Sequence, residues 1–489
     1  MNSGSDILAL LPEIAVFLGA VVTLVAGSFL PRNRQVVARW IAIIALLTAA
    51  IAAAAGAAGP AMTVFNSTFA VDVGSNVARI IITLATAFVI VLGVEELSGS
   101  RRESETYSLL LLSALGTMVL AGTSDLLILV TGYLLASIPL YALIGMSRSA
   151  RAAEAALKTY LLGALLGISM MVGVAVLYGI GGGTSYRQLG SALGDAPAAA
   201  LAVGLAAVVG GLMFKAGGVP GHFWIPDATQ AAGVSVAAYL TTVPKIGALV
   251  AAFRLLDIMP STIEWPLVLA IVAAASMTLG NFAAFWQDDV RRLLGWSTVS
   301  QVGYLLLPVT VAGASSLALP SLLLYLVGYA ATNLTAFAVV AAFPFRRTLA
   351  DYRGVARSHP WLAGSLVVSL LGLIGTPPTV IFFGKLTTFT AAWDGGLVWL
   401  VVIAVINSVA SVFYYLRWFA PMFFRPVERH SVAVTPTPTP APSPTPIADV
   451  GTVRRRWAMH SAILGAASVV IIGVLGGVVL SLVGSPLAL

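Results

Sequence analysis

The stretch Phe214-Lys215-Ala216-Gly217-Gly218-Val219-Pro220-Gly221-His222-Phe223-Trp224-Ile225-Pro226-Asp227 interrupts a long apolar run with three glycines, two prolines and a lysine. Proline removes a backbone N–H and clashes with the preceding turn, so a helix entering this stretch must break. In lipid such a break persists only where protein or a water-filled cavity satisfies the freed backbone groups. A second stretch, Gly375-Thr376-Pro377-Pro378-Thr379-Val380-Ile381-Phe382-Phe383-Gly384-Lys385, repeats the ingredients roughly 160 residues later. Interrupted apolar helices that recur in two parts of a chain point to an ion or substrate path.

Around these breaks the chain is apolar throughout. It is 59% hydrophobic and 9% charged over 489 residues, with a mean hydropathy of +0.98. Soluble domains carry about 25% charged residues. Repeated apolar runs of 18 or more residues give an all-α polytopic membrane protein. The absence of cysteine excludes iron–sulfur clusters and disulfides in this chain. The four histidines, His222, His359, His430 and His460, have no metal-ligand spacing. No glycine-rich nucleotide loop follows a strand pattern. The net charge of +7 sits mainly on loop arginines and reflects membrane topology rather than nucleic-acid binding. The start lacks a basic n-region and a cleavage site, so the first apolar segment is expected to be a retained helix.

Only four lysines occur, Lys158, Lys215, Lys245 and Lys385, each inside or at the edge of an apolar segment. Arginine stays protonated in proteins, whereas a buried lysine can gain and lose a proton. Burying a charge at mid-membrane costs at least ~2.5 kcal/mol on insertion scales, so three such lysines imply proton handling. Lys158 has two readings, because Glu154 stands at the favourable i, i+4 spacing and could hold it structurally at the interface. His222 is either a packing histidine or a proton relay. Glu13 is either a helix–helix contact or a functional acid. Tyr325, Tyr329 and Trp224 are of a kind that usually packs or anchors. Pro244 precedes Lys245 and should free the carbonyl of Leu240, leaving a polar notch.

About fourteen spans are expected, near 7–29, 36–56, 76–95, 106–122, 125–146, 155–180, 197–217, 233–256, 264–286, 293–313, 316–345, 361–392, 396–424 and 457–483. Eighteen arginines then fall in loops on one side, from Arg32 to Arg456. Arg187, Arg254 and Arg79 lie opposite, and Arg417 lies within the thirteenth span. The positive-inside bias puts both termini on the non-cytoplasmic side. Alternating prolines from Thr435 to Pro446 make an extended, solvated spacer before the last span.

Ten motifs in order resemble the antiporter-like membrane subunits of proton-translocating NADH:quinone oxidoreductase, in particular its N-type branch. They are Glu105-Thr106-Tyr107-Ser108, Ser137 to Leu143, Glu154 to Gly163, His222 to Asp227, Thr242-Val243-Pro244-Lys245, Gly280 to Gln287, Arg292 to Ser297, Gly303-Tyr304-Leu305-Leu306, Pro377-Pro378 with Phe382 to Lys385, and Tyr414-Tyr415-Leu416-Arg417. The resemblance spans roughly residues 8 to 424. It implies fourteen helices containing two inverted five-helix repeats with broken helices. The corresponding divisions are 1–104, a three-helix segment; 105–257 and 258–424, the repeats; 425–456, the linker; and 457–489, a last helix. It implies that Lys215 is the central switching lysine, that Lys158 and Lys245 link it to half-channels, that Lys385 serves the second half-channel, and that His222 is a relay. The chain would be a non-redox subunit of a translocase in a bacterial plasma membrane, in contact with lipid and with other membrane-arm and peripheral-arm subunits. It would hold no cofactor; FMN, iron–sulfur clusters and quinone would belong to its partners.

Two departures from the family pattern stand out. Leu134 occupies the fifth-span position where the family usually carries Glu, the expected counter-charge of Lys215. Gln230 stands where an acid usually follows the His-Phe-Trp segment, and the family's Pro-rich continuation has become Gly233-Val234-Ser235. The departures leave two alternatives: a structural membrane-arm subunit with reduced or lost pumping, or a cation/proton antiporter subunit.

Overall fold

The computed structural model describes residues 3–424 and 455–484. The expected proline spacer, Arg425, Arg429, Arg454 and His430 lie outside the described residues. We number the principal helices α1 Leu11–Phe29, α2 Val36–Ala57, α3 Val73–Leu92, α4 Glu103–Gly122, α5 Leu126–Gly145, α6 Ala150–Gly181, α7 Ala198–Ala216, α8 Trp224–Ala231, α9 Val234–Asp257, α10 Trp265–Phe285, α11 Val290–Thr310, α12 Ala318–Ala342, α13 Pro360–Ile374, α14 Val380–Asp394, α15 Val398–Phe419 and α16 Arg456–Val474. Among the described residues, twelve helices are long and apolar enough to cross a membrane. The other two expected spans fall on α11 and on the pair α13–α14. α11 carries Arg291, Arg292, Ser297, Thr298, Ser300 and Gln301, and buries nearly all of itself. The pair is the 361–392 segment, broken at the expected Gly375–Pro378 stretch into two 15-residue halves.

One element departs from the all-α expectation. Met62–Val64 (β1) and Phe69–Val71 (β2) pair antiparallel between α2 and α3. Phe65, Asn66 and Ser67 take positive φ at the tip, which closes the hairpin where only a loop was expected.

The centre of the bundle is α9, α11 and α12, buried along most of their length, while α1, α2, α6 and α15 keep exposed apolar faces. Without a hydrophobic drive between helices in lipid, close approach depends on small residues. Gly116 of α4 is such a contact: a Cβ there would lie 2.2 Å from the backbone nitrogen of Ala136. Gly116→Val is therefore expected to cost about 1–3 kcal/mol through overpacking. Thermal denaturation of the purified assembly reads this out, and an unchanged melting temperature would refute the close packing of α4 on α5.

Candidate functional site

The first break separates α7 from α8, and the second separates α13 from α14. Each first half ends at a glycine in the left-handed region, Gly217 at φ 84° and Gly375 at φ 89°, where a side chain would be strained. Each break is then bridged from its second half. Trp224 Nε1 donates to the carbonyl of Phe214 at 3.0 Å, and Lys385 Nζ donates to that of Ile374 at 2.8 Å. These bonds satisfy carbonyls that the interruption would leave unpaired in the membrane.

Three of the five expected site residues are lysines buried in the bundle: Lys215, Lys245 and Lys385 are 1%, 0% and 5% exposed. Lys215 Nζ donates to Ser137 Oγ at 2.7 Å and stands 5.6 Å from the Tyr133 ring centre. Both partners belong to α5. Leu134 sits on the outward side of α5, so a hydroxyl and a ring occupy the ammonium's neighbourhood where a carboxylate was expected.

Lys245 Nζ has no hydrogen-bond partner among the described residues and lies 5.8 Å from the Tyr329 ring centre. α9 continues through Pro244. A polar cluster forms one residue on from the Leu240 carbonyl that the sequence singled out. Tyr329 Oη donates to the carbonyl of Thr241 at 2.8 Å and contacts Thr298 Oγ1 at 3.0 Å. Asn333 Nδ2 donates to the hydroxyls of Thr241 and Thr242.

From there polar groups lead toward the second break. Tyr325 donates to Gln301 Oε1 at 2.7 Å, and Gln301 donates to the carbonyl of Leu373 at 2.9 Å. Lys385 Nζ also donates to Ser408 Oγ at 2.9 Å and stands 4.1 Å from the Tyr304 ring centre. Ser408 Oγ in turn donates to Tyr304 Oη. Tyr325 and Tyr329, expected to pack or anchor, are thus hydrogen-bonded members of this interior. Tyr133, Gln301 and Asn333 escaped the sequence reading, and Ser137 and Tyr304 entered it only as members of quoted motifs, not as site residues. Their hydroxyls and amides have no distinctive spacing, and only the packing of distant segments reveals them.

His222 is buried, 4.2 Å from the Phe223 ring centre and 5.6 Å from that of Trp296. Its ring nitrogens have no side-chain hydrogen bond among the described residues.

Lys158 stands apart. Its side chain is 50% exposed, at the edge of the bundle, where one of its two readings placed it. It pairs with Glu154 at 2.7 Å and with Asp227 at 3.2 Å. Asp227 also binds Arg292 at 2.6 Å. Gln230 accepts from Arg292 and donates to Asp289, tying α8 to the start of α11. The other departure, at Gly233, has a local reason: Glu96 accepts from the backbone N–H groups of Val234 and Ser235, and a Cβ on Gly233 would lie 2.5 Å from its carboxylate. Glu13 resolves as a helix–helix contact, bidentate to Arg79 at 2.8 Å through both oxygens. Asp125 caps α5 and accepts from Thr184.

Residues 123–411 match the model of the family described as NADH:quinone oxidoreductase/Mrp antiporter, TM. The chain is 52% identical to NADH-quinone oxidoreductase subunit N of Mycobacterium sp. (strain JLS), over 96% of its own length and 97% of that protein. A chain of respiratory complex I from Thermus thermophilus is 30% identical, with a TM-score of 0.80 and coverage of 97% of this chain and 100% of that one. A chain of the Mrp complex from Dietzia sp. DQ12-45-1b shares the fold, with a TM-score of 0.83 at 23% identity over 99% of this chain and 96% of that one. The chain therefore belongs to the N-subunit family of NADH-quinone oxidoreductase, within the wider group of antiporter-like membrane proteins.

Proposed function

We propose that this multi-pass membrane-arm subunit of a complex I-type oxidoreductase carries protons along the interior defined by Lys215, Lys245 and Lys385. His222 serves as a relay beside the first break, and Lys158 collects protons at the edge. The observation that carries the reading is the burial of three lysines without a carboxylate at ion-pair distance among the described residues. Unpaired ionisable groups inside a membrane are costly and mark ion or proton pathways. Hydroxyl, phenol and amide groups between them give a proton successive partners. No redox group is assigned to this chain; the energy comes from quinone reduction in partner subunits, where FMN and iron–sulfur clusters reside.

The arginine asymmetry supports non-cytoplasmic termini in a bacterial plasma membrane. The helix order supports two inverted repeats, 105–257 and 258–424, because the fourth member of each is the broken one and the arginine-rich end lies at opposite ends of the two.

Lys385→Arg tests the path. The guanidinium keeps the charge but does not release the proton. Proton uptake by the reconstituted complex, per quinone reduced, is expected to fall at least about tenfold. Undiminished uptake in a fully assembled complex would remove Lys385 from the path. A second reading, a subunit that keeps its place in the arm without pumping, is favoured by Leu134. Under that reading, Leu134→Glu leaves proton transport unchanged.

A further inference from the structure

Two cavities meet at Arg102 and Met146, at the arginine-rich end of the bundle. One, of about 300 Å³, lies beside the segment between α3 and α4 and is lined by Arg101, Arg102, Arg148, Glu96 and Ser235 among others. The other, of about 510 Å³, is a groove between α1 and α5, both of which pack on α4. Arg102 Nη1 reaches Met146 Sδ at 3.8 Å where the two join. We propose that together they bind an anionic phospholipid, its phosphate among the three arginines and an acyl chain along the groove.

The head of this site is cationic. Arg101, Arg102 and Arg148 form no ion pair among the described residues. Two carboxylates share the space. Glu96 accepts from the backbone N–H groups of Val234 and Ser235 at 2.8 and 2.9 Å. These belong to the start of α9, where the helix dipole offsets a negative charge. Glu105 lines the groove one turn along α4 from Arg102 and accepts from Ser104 Oγ at 3.3 Å. Three guanidinium groups against these two carboxylates leave an excess of positive charge. Each guanidinium carries five N–H donors in a planar fork, a geometry suited to phosphate. Ser235 adds a neutral donor. It is fully buried, and its Oγ has no hydrogen-bond partner among the described residues.

The apolar limb fixes the source of that phosphate. Leu24, Leu109, Leu112, Ala142 and Gly145 line the groove. Its walls continue along the outer faces of both flanking helices. On α5, Leu134, Ile138 and Ala142 are exposed at four-residue spacing, and on α1 Phe17, Val21 and Leu24 are exposed at the same helical period. A free phosphate has no use for such a trough, whereas a lipid engages both limbs at once. Basic pockets between membrane helices are a recurrent seat of anionic headgroups. The trough also gives Leu134 a local reason, since an acid at that position would begin on the face that meets the acyl chain.

The test places photoreactive benzoylphenylalanine at Leu24 in the assembled complex, in nanodiscs holding equal amounts of phosphatidylglycerol and phosphatidylcholine. Mass spectrometry identifies the adducts after irradiation. The phosphatidylglycerol adduct is expected to exceed the phosphatidylcholine adduct about tenfold, and Arg101→Gln with Arg148→Gln to bring the ratio close to one. Native gels check assembly of the double variant. If it does not assemble, the phosphatidylglycerol fraction is varied with the arginines intact. An adduct that saturates at a low fraction supports a site, and one that rises in proportion to the fraction overturns it. Equal adducts at the start, or a preference that survives in the assembled double variant, would likewise overturn the proposal. So would a peptide adduct, which gives the groove a protein partner. A preference abolished by inorganic phosphate at constant ionic strength would make this a free-anion site and also overturn it.

Discussion

Asp72→Ala is expected to abolish accumulation of the assembled subunit. Asp72 and Arg254 form a bidentate ion pair, Nη2 to Oδ1 at 2.5 Å and Nη1 to Oδ2 at 2.8 Å. Their side chains are 0% and 1% exposed. Removing one member of a buried pair strands the other charge, at a cost of about 3–5 kcal/mol. Asp72 is also the N-cap of α3, where it accepts from the backbone N–H of Ser75. Losing that cap adds about 1 kcal/mol. The sum is comparable to the whole stability of many domains, about 5–15 kcal/mol. Native gels of solubilised membranes measure the loss. Asp72→Ala with Arg254→Leu should recover part of it, because replacing both charges by apolar groups is far less damaging than stranding one. Normal accumulation of Asp72→Ala alone would show that Arg254 is adequately served by its hydrogen bond to the carbonyl of Ala121 at 2.8 Å and by the nearby charge of Asp257.

This pair also bears on the arginine pattern. Arg79 and Arg254, two of the exceptions to the one-sided distribution, are not loop charges. Each is buried and bound to a carboxylate, so neither weighs against the bias. Arg417, placed within a span by the sequence, pairs with Asp288 at the arginine-rich end and so joins the majority. The chain breaks were legible for a comparable reason, since proline and glycine act locally, on their own backbone. The partners of the lysines were not legible. Ser137 reaches Lys215 across 78 positions, and Tyr329 reaches Thr241 across 88. No local periodicity carries such a contact. Burial of α11 also escaped a hydropathy reading, because its buried faces carry polar residues. For Lys158 the sequence left two readings open, since an i, i+4 pair looks the same on an inner or outer helix face.

Lys215→Ala is expected to reduce proton pumping by the complex about 100-fold or more, the scale of a positioned proton-transfer group. The amine stands at the C-terminal end of α7, immediately before the break, and its hydrogen bond to Ser137 crosses to α5. No carboxylate at ion-pair distance holds the ammonium there among the described residues. Its protonation is therefore free to answer to changes elsewhere in the interior rather than to a fixed local partner. Lys215→Arg separates charge from proton transfer, since it retains the first and lacks the second. If both variants lose pumping while the complex assembles, the lost property is proton exchange. If Lys215→Arg keeps pumping, a fixed positive charge suffices and the lysine is an electrostatic element only. Ser137→Ala should have a smaller effect, because a neutral hydrogen bond contributes about 0.5–1.5 kcal/mol. Leu134→Glu bears on the same site from outside. The new carboxylate would begin on the outward side of α5, one turn from Ser137, and could compete for Lys215 only by turning inward. A gain in pumping from Leu134→Glu, abolished by adding Lys215→Ala, would identify the hydroxyl at Ser137 as a weaker stand-in for that acid. No response to either change, with assembly intact, would reduce the first break to a structural feature and leave proton movement to the half containing Lys385.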